Sequence, residues 1–194
     1  SGVHAIGNVA VFDTETKIPP EKISFALNQR LPEDIRIQKS EEVSTDFHPR
    51  YCNSKKTYEY KILNRRFPNP MVRLYTHFVY MPLDVELMKE AAGYIVGEHD
   101  FASFCSAGSQ VKTTVRTIYE LDINKENDII AIKISGNGFL YNMVRIIVGT
   151  LMKVGLKVYP PEHVKEIIEA KDRYMAGPKA PAKGLTLVGI EYQE

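Results

Sequence analysis

The sequence predicts an α+β fold in which a mixed, mainly antiparallel sheet has helices packed on one face. Three observations lead to this prediction: strand-like and helix-like segments alternate along the chain, two strand-like segments flank one short turn, and the most apolar segment has helical spacing. With 194 residues, 44% of them hydrophobic, the chain can bury a good-sized core. Helices on one face leave the other face of the sheet free to bind.

The N-terminal segment is predicted to be part of a larger unit. Residues Asn8–Phe12, "NVAVF", suggest a strand, and Pro19 and Pro20 open a helix. The apolar residues of this helix are Ile23, Ala26, Leu27 and Leu31. One strand and one helix make a poor domain, and the pattern loosens around "STDFHPRYCNSKK". We therefore expect two domains, residues 1–46 and residues 47–194.

The second domain is predicted to begin with a strand and to continue as strand, helix and hairpin. Lys56–Leu63 alternates Tyr58, Tyr60 and Ile62 on one face with polar residues on the other. Val72–Tyr80 is a second predicted strand, and Asp84 can cap a helix that ends near Gly97. The remaining predicted elements are a hairpin of Thr117–Ile123 with Ile129–Ser135, a helix over Phe139–Val154, a helix opened by Pro160 and Pro161, and a strand at "LTLVGIEY".

The predicted helix Phe139–Val154 carries an arginine within an apolar run. Helical spacing separates an apolar side from a polar side; the apolar side is Leu140, Val144, Ile147 and Leu151, and the polar side is Asn142, Arg145, Gly149 and Lys153. A guanidinium at a restricted interface favours a carboxylate or a phosphate, and for an arginine considered alone a salt bridge within the fold is the preferred explanation. Gly149 would let another element or a ligand come close.

Charge is unevenly distributed although the net charge is only +1. The stretch Asp46–Arg73 is rich in lysine and arginine, with aromatic residues interleaved. This mixture fits single-stranded or looped RNA, and a solvated strand face explains it about as well. The two cysteines, Cys52 and Cys105, lack metal-ligand spacing and suit a reducing compartment. No apolar run approaches the roughly 20 residues of a membrane span.

Eight motifs carry a resemblance to a known family. They are "SGVHA", "LNQRLPEDI", "FHPRY", "KTYEYKI", "GEHDFASFCSAG", "TVRTIY", "GNGFLYNMVRIIVGTLMKVG" and "APAKGLTL". In this order, across nearly the whole chain, they resemble the TruA-type tRNA pseudouridine synthases. The resemblance implies a pseudouridine synthase fold of two related domains, the first represented only in part by residues 1–46. It also implies a cofactor-free, metal-free, cytoplasmic homodimer that isomerises uridine in the anticodon stem-loop of tRNA.

The resemblance assigns roles to individual residues. Tyr58 corresponds to the active-site tyrosine that packs against the target base, Arg145 to the arginine that pairs with the catalytic aspartate, and Leu185 to an apolar residue beneath the pocket. A core role for Tyr58 and ordinary packing for Leu185 are the structural alternatives. The other expected substrate-binding residues are Arg50, Lys55, Lys56, Arg116 and Asn137.

One departure from the family pattern concerns the catalytic aspartate. The family's motif places this aspartate directly before Ser1, so the chain by itself is expected to be an inactive fragment of an active enzyme. A non-catalytic RNA-binding module is the main alternative, and a structural or dimerisation protein is a third. An Arg-Thr-Asp sequence upstream of Ser1 would favour the enzyme.

Overall fold

A computed structural model describes residues 2–50, 52–109 and 111–192. The chain forms two compact units: Val9–Cys52 is the smaller, and the larger comprises the described residues up to Asn8 and from Asn53 onward. This division differs from the expected boundary between residues 46 and 47, because strand β1 (His4–Ala5) pairs with the C-terminal strand of the larger unit. The assignment of residues 1–46 and 47–194 to two pseudouridine synthase subdomains remains a prediction.

The smaller unit contains a short helix and little other regular structure. Helix α1 (Ile23–Asn28) follows a 3-10 turn at Pro20–Lys22, as the prolines predict. The predicted strand at Asn8–Phe12 is absent, because this apolar run has no neighbouring strand to pair with. Leu27, one of the apolar residues of the predicted helix, is 38% exposed.

The larger unit is built on a seven-stranded mixed sheet. Its remaining strands are β2 (Ser54–Asn64), β3 (His77–Val79), β4 (Gly97–Asp100), β5 (Val115–Glu126), β6 (Ile129–Gly136) and β7 (Leu185–Tyr192). The order is β1-β7-β2-β6-β5-β4, with β3 added alongside the end of β2. The β1–β7 and β2–β3 pairs are parallel and the other pairs are antiparallel. This arrangement confirms the predicted fold class.

The hairpin of β5 and β6 forms where the sequence predicts it. Glu126 pairs with Ile129, so the connection is the two residues Asn127 and Asp128. Asn127 has a φ of 51°, the left-handed conformation that tight hairpin turns require and that asparagine tolerates.

Two predictions between β2 and β4 needed revision. The expected strand Val72–Tyr80 contracts to β3, because Pro70–Val72 folds as a 3-10 turn. Helix α2 (Val85–Gly93) begins as predicted, with the Asp84 carboxylate accepting a hydrogen bond from Leu87 N at 3.3 Å, but it ends four residues before Gly97.

The hydrophobic core joins one face of the sheet to the helices. Helix α3 (Met143–Gly155) is the central helix, and α4 (His163–Ala170) follows it. Buried side chains from the sheet that contribute to this core are Tyr60, Ile62, Ile118, Ile123, Ile130, Ile132, Ile134 and Leu185. The opposite sheet face carries exposed charges such as Lys61 and Lys133. No helix in the described ranges is long and apolar enough to cross a membrane.

Helix α3 differs from its prediction in two ways. It begins at Met143 instead of Phe139, because Asn142 adopts a left-handed conformation with a φ of 62°. It is also buried on nearly all sides. Gly149 on the predicted polar side is buried, and the only helix residues that keep partial exposure are the two charged ones, Arg145 and Lys153.

Candidate active site

Tyr58 lies on β2, between Ile134 of β6 and Leu187 of β7. Its ring meets that of Phe139 edge to face, with centroids 5.2 Å apart and an angle of 88° between the planes. Burial raises the pKa of the Tyr58 hydroxyl, so the group stays protonated at neutral pH. Tyr58 therefore offers a fixed aromatic surface and a neutral hydroxyl.

Arg145 lies in the first turn of α3 and is held mainly by backbone. Its Nε donates to Ala180 O at 2.6 Å and its Nη1 donates to Asn142 Oδ1 at 3.2 Å. Ala180 N in turn donates to Arg145 O at 3.0 Å, so the two residues are joined by two hydrogen bonds. Among the described residues, no carboxylate oxygen lies within 4 Å of the guanidinium nitrogens, so the internal salt bridge considered from sequence is not found.

The surroundings of Arg145 favour an anion. The N-terminal end of a helix carries a partial positive charge, and a cation in the first turn adds to it. Asn142 restrains the guanidinium through its Oδ1, while its Nδ2 donates to Ser106 Oγ at 3.1 Å. Pairing between Arg145 and the expected aspartate would complete this arrangement and remains a prediction.

Residues 176–181, here called the strap, run along α3 beside Arg145. Gly177 N donates to Thr150 Oγ1 at 2.9 Å, and Ala180 is joined to Arg145. Between these two points a Cβ on Gly149 would overlap the Pro178 carbonyl oxygen. The prediction that Gly149 permits the close approach of another element is therefore confirmed.

Leu185 is the first residue of β7 and lies opposite Tyr60, not opposite Tyr58. Its side chain is buried and belongs to the core. The residue that the strand register places beside Tyr58 is Leu187. Packing explains the position of Leu185, and its role beneath a substrate pocket stays a prediction.

The expected RNA-binding residues do not form one continuous strip. Lys55 and Lys56 are neighbours on β2, so their side chains point to opposite faces of the sheet. Lys56 shares the face of Tyr58, which is the face that packs on the helices and not the opposite face that was expected to be free to bind. Arg50 belongs to the smaller unit. Two further basic residues of the stretch have carboxylate partners: Lys61 pairs with Glu59 and Arg65 with Asp128.

Arg116 and Asn137 lie close together at the ends of β5 and β6. Asn137 Oδ1 accepts a hydrogen bond from Thr117 N at 2.9 Å, and Arg116 Nη1 donates to Thr113 O at 2.9 Å. A Cβ on Gly138 would lie 3.5 Å from Arg116 Nε. Because Phe139 follows directly and contacts Tyr58, these residues extend the candidate site along the chain.

Sequence reasoning missed two contributors, Phe139 and Ala180, and gave Asn142 no role beyond its place on the polar side of α3. The spacing of three residues between Asn142 and Arg145 does predict contact on a helix. By contrast, Ala180 contacts Arg145 through its backbone, which leaves no signature in the sequence.

Two further features bear on the candidate site: metal ligands among the described residues, and two cavities beside α3. In the part of the chain that the structure describes, no three His, Cys, Asp or Glu side chains are grouped to hold a metal ion. Two small cavities of about 310 and 180 Å³ border α3, and neither is lined by Tyr58, Arg145 or Leu185.

Comparison with known proteins identifies the family. A family profile described as tRNA pseudouridine synthase matches residues 1–52 and 91–193. The "tRNA pseudouridine synthase A" of Thermoanaerobacter sp. (strain X514) is 50% identical over 192 residues, which are 99% of this chain and 79% of that protein. Proteins with the same name are 49% identical in Acetivibrio thermocellus and 47% identical in Bacillus pumilus, over 98% and 99% of this chain and 78% of each relative. The chain therefore belongs to the tRNA pseudouridine synthase family.

Proposed function

We propose that this protein is a tRNA pseudouridine synthase, an isomerase that converts uridine to pseudouridine within tRNA. The observation that carries the proposal is the identity of about half of all residues to tRNA pseudouridine synthase A over nearly the whole chain. The targets proposed from the family resemblance are uridines of the anticodon stem-loop.

The reaction exchanges one bond for another within a single nucleotide. The bond between N1 of uracil and C1′ of ribose breaks, the base turns, C5 bonds to C1′, and the proton on C5 is released as N1 gains one. Atoms and electrons balance without an oxidant or a co-substrate. We therefore propose that the enzyme needs neither a cofactor nor a metal.

Tyr58 is proposed to hold the target base. An enzyme that acts on a base must take it out of the stack, and the flipped base then needs a flat, apolar surface. The Tyr58 ring is fixed by its contact with Phe139, and its hydroxyl remains protonated. Both features support the role that the resemblance assigns.

Arg145 is proposed to orient the catalytic aspartate, which the resemblance places directly before Ser1. The guanidinium lies at the positive end of α3 and, within the described residues, has no carboxylate partner. An opposite charge nearby lowers the pKa of a carboxylate and keeps it ionised. Leu185 is proposed to support the pocket from below.

The tRNA is proposed to bind through phosphate contacts and a few polar contacts to the nucleotides. Lys56 shares the sheet face of Tyr58, and Arg116 and Asn137 lie beside the segment that leads to Phe139. Lys55 and Arg50 are proposed to contact more distant phosphates. The proposed enzyme is a cytoplasmic homodimer, and the free thiols of Cys52 and Cys105 fit a reducing compartment.

The test is tritium release from tRNA labelled at C5 of uridine. We expect the full-length enzyme to bind tRNA and to release tritium from it. Binding must weaken steeply as salt rises, as counterion release requires. No release by the full-length protein, together with salt-sensitive binding, would favour the RNA-binding module instead.

A further inference from the structure

Tyr60 is a fully buried tyrosine whose hydroxyl and ring both contact the turn that precedes β7. Its exposed fraction is 0%, so it does not reach a substrate at the surface. The hydroxyl donates to Pro181 O at 2.8 Å. A Cβ on Gly184 would lie only 2.7 Å from the ring, so the backbone of Gly184 rests against it. Tyr60 therefore holds both ends of the 3-10 turn Ala182–Gly184.

The same turn joins two residues of the candidate site. Two residues before it, Ala180 accepts the Nε hydrogen bond of Arg145 and donates its N–H to Arg145 O. Directly after it, Leu185 begins β7 and pairs with Tyr60 itself. The hydroxyl of one buried side chain therefore binds the residue next to the acceptor of Arg145.

We propose that Tyr60 is a positioning residue that orients Arg145 through Pro181 and the turn Ala182–Gly184. The hydrogen bond to Pro181 and the ring contact with Gly184 fix the turn, the turn fixes Ala180 O, and Ala180 O fixes the guanidinium. Arg145 has four side-chain torsions, so without a fixed acceptor the guanidinium would sample several directions. This inference rests on the proposed function, since it assigns Arg145 a task in the site.

The test compares Tyr60→Phe with Ser103→Ala in the full-length enzyme. Both variants remove one buried hydroxyl that donates to a backbone carbonyl, Pro181 O in one case and Ile167 O in the other. Ser103 is also fully buried, but its bond is made to α4 and not to the strap. Comparing the two variants therefore separates the general effect of losing a buried hydrogen bond from the specific effect of losing the bond between Tyr60 and Pro181.

We expect Tyr60→Phe to lower kcat for tRNA about tenfold with little change in KM, because tRNA contacts are retained while the guanidinium is misplaced. Ser103→Ala should change neither constant by more than about twofold, as expected away from the site. Amide hydrogen exchange should become faster at Ala180 in Tyr60→Phe and stay unchanged there in Ser103→Ala.

Gly184→Ala provides a second perturbation of the same contact. Its methyl group would press on the Tyr60 ring, so it should also lower kcat and speed exchange at Ala180. Unchanged kcat and unchanged Ala180 exchange in Tyr60→Phe, or equal losses of kcat in Tyr60→Phe and Ser103→Ala, would overturn the proposal. An inactive wild-type enzyme would instead refute the proposed function, so the two failures are distinguishable.

Discussion

Replacing Gly149 by alanine tests whether the strap is held against α3. Alanine normally favours a helix over glycine by about 1 kcal/mol. Here the added methyl would overlap the Pro178 carbonyl oxygen and lie 2.8 Å from the Pro178 carbonyl carbon. Because both atoms are backbone, no side-chain rotation relieves the overlap, and the strap must move away from the helix.

The cost of Gly149→Ala follows from the bonds that this movement breaks. Two hydrogen bonds join Arg145 to Ala180, and a third joins Gly177 N to Thr150 Oγ1. At about 1 kcal/mol for each bond and 1–3 kcal/mol for overpacking, less the roughly 1 kcal/mol by which alanine favours the helix, the loss of stability is about 3–5 kcal/mol. For a chain of this length the melting temperature should fall by on the order of 10 °C.

The measurement is thermal unfolding followed by circular dichroism, with Gly93→Ala as the matched control. Gly93 also lies in a helix, it is exposed, and a Cβ there meets nothing within 4 Å. Gly93→Ala should leave stability unchanged or raise it by up to about 1 kcal/mol. If Gly149→Ala were as stable as Gly93→Ala, the close contact between Pro178 and α3 would be refuted.

Four further outcomes are expected. Arg145→Lys keeps the positive charge but loses the planar guanidinium, so the full-length enzyme should lose most of its turnover. The free energy of unfolding of this chain should fall by about 1–3 kcal/mol. Normal turnover would contradict the role assigned to Arg145. Tyr58→Phe should keep tRNA affinity but lower kcat, whereas Tyr119→Phe, on an exposed part of β5, should keep both; equal kcat in the two variants would return Tyr58 to a core role. Lys56→Gln should weaken tRNA binding more than Lys55→Gln, and it should reduce the slope of log binding constant against log salt concentration by about 1, as the loss of one phosphate contact requires. Equal effects of the two substitutions would mean that the sheet face of Tyr58 is not the RNA-binding face. Burial and, secondarily, Lys183 lower the pKa of His77, so the contribution of neutral His77 to stability is complete above about pH 6.5 and is lost as the pH falls below that value. Between about pH 7.5 and 5.5, His77→Gln should therefore lose less stability than the wild type in denaturant unfolding. Equal losses in the two proteins would contradict the lowered pKa.

The central strands could be predicted because their sequences alternate. In β2, Tyr58, Tyr60 and Ile62 face the core while Lys61 faces solvent. The same period of two runs through Ile130, Ile132 and Ile134 of β6 and, after a bulge at Ile118–Glu120, through Leu121 and Ile123 of β5. Burial on one face forces this pattern into the sequence. The hairpin turn was equally visible, because a two-residue connection needs residues such as Asn127 that accept a left-handed conformation.

The N-terminal strand could not be predicted because strand formation depends on a partner. The apolar run from Asn8 to Phe12 fits a strand by composition, yet no neighbouring strand pairs with it. His4 and Ala5 have no recognisable period, but they pair with Thr186 and Leu187 far along the chain. Local composition gives the tendency to extend, and only the tertiary structure supplies the hydrogen-bonding edge.

The sequence could propose side chains for the candidate site but could not predict the backbone that holds them. The motifs pointed to Tyr58 and Arg145, whose chemistry is distinctive. The contact between Arg145 and Ala180 spans 35 positions and uses a main-chain oxygen, so any residue type could supply that oxygen. The sequence does show where the backbone passes close to α3 and Tyr60, because those positions are glycines.

Three glycines indicate in the sequence where the strap and the turn that follows it pass close to other parts of the chain. A Cβ would meet backbone at Gly149 and at Gly177, and would press on the Tyr60 ring at Gly184. None of these three glycines has a positive φ, so backbone freedom does not explain their presence. Glycine is required because the strap and the turn after it pass within contact distance of α3 and of Tyr60. The orientation of Arg145 therefore depends on three positions that carry no side chain, and a larger residue at any of them would disturb the site without touching a charged group.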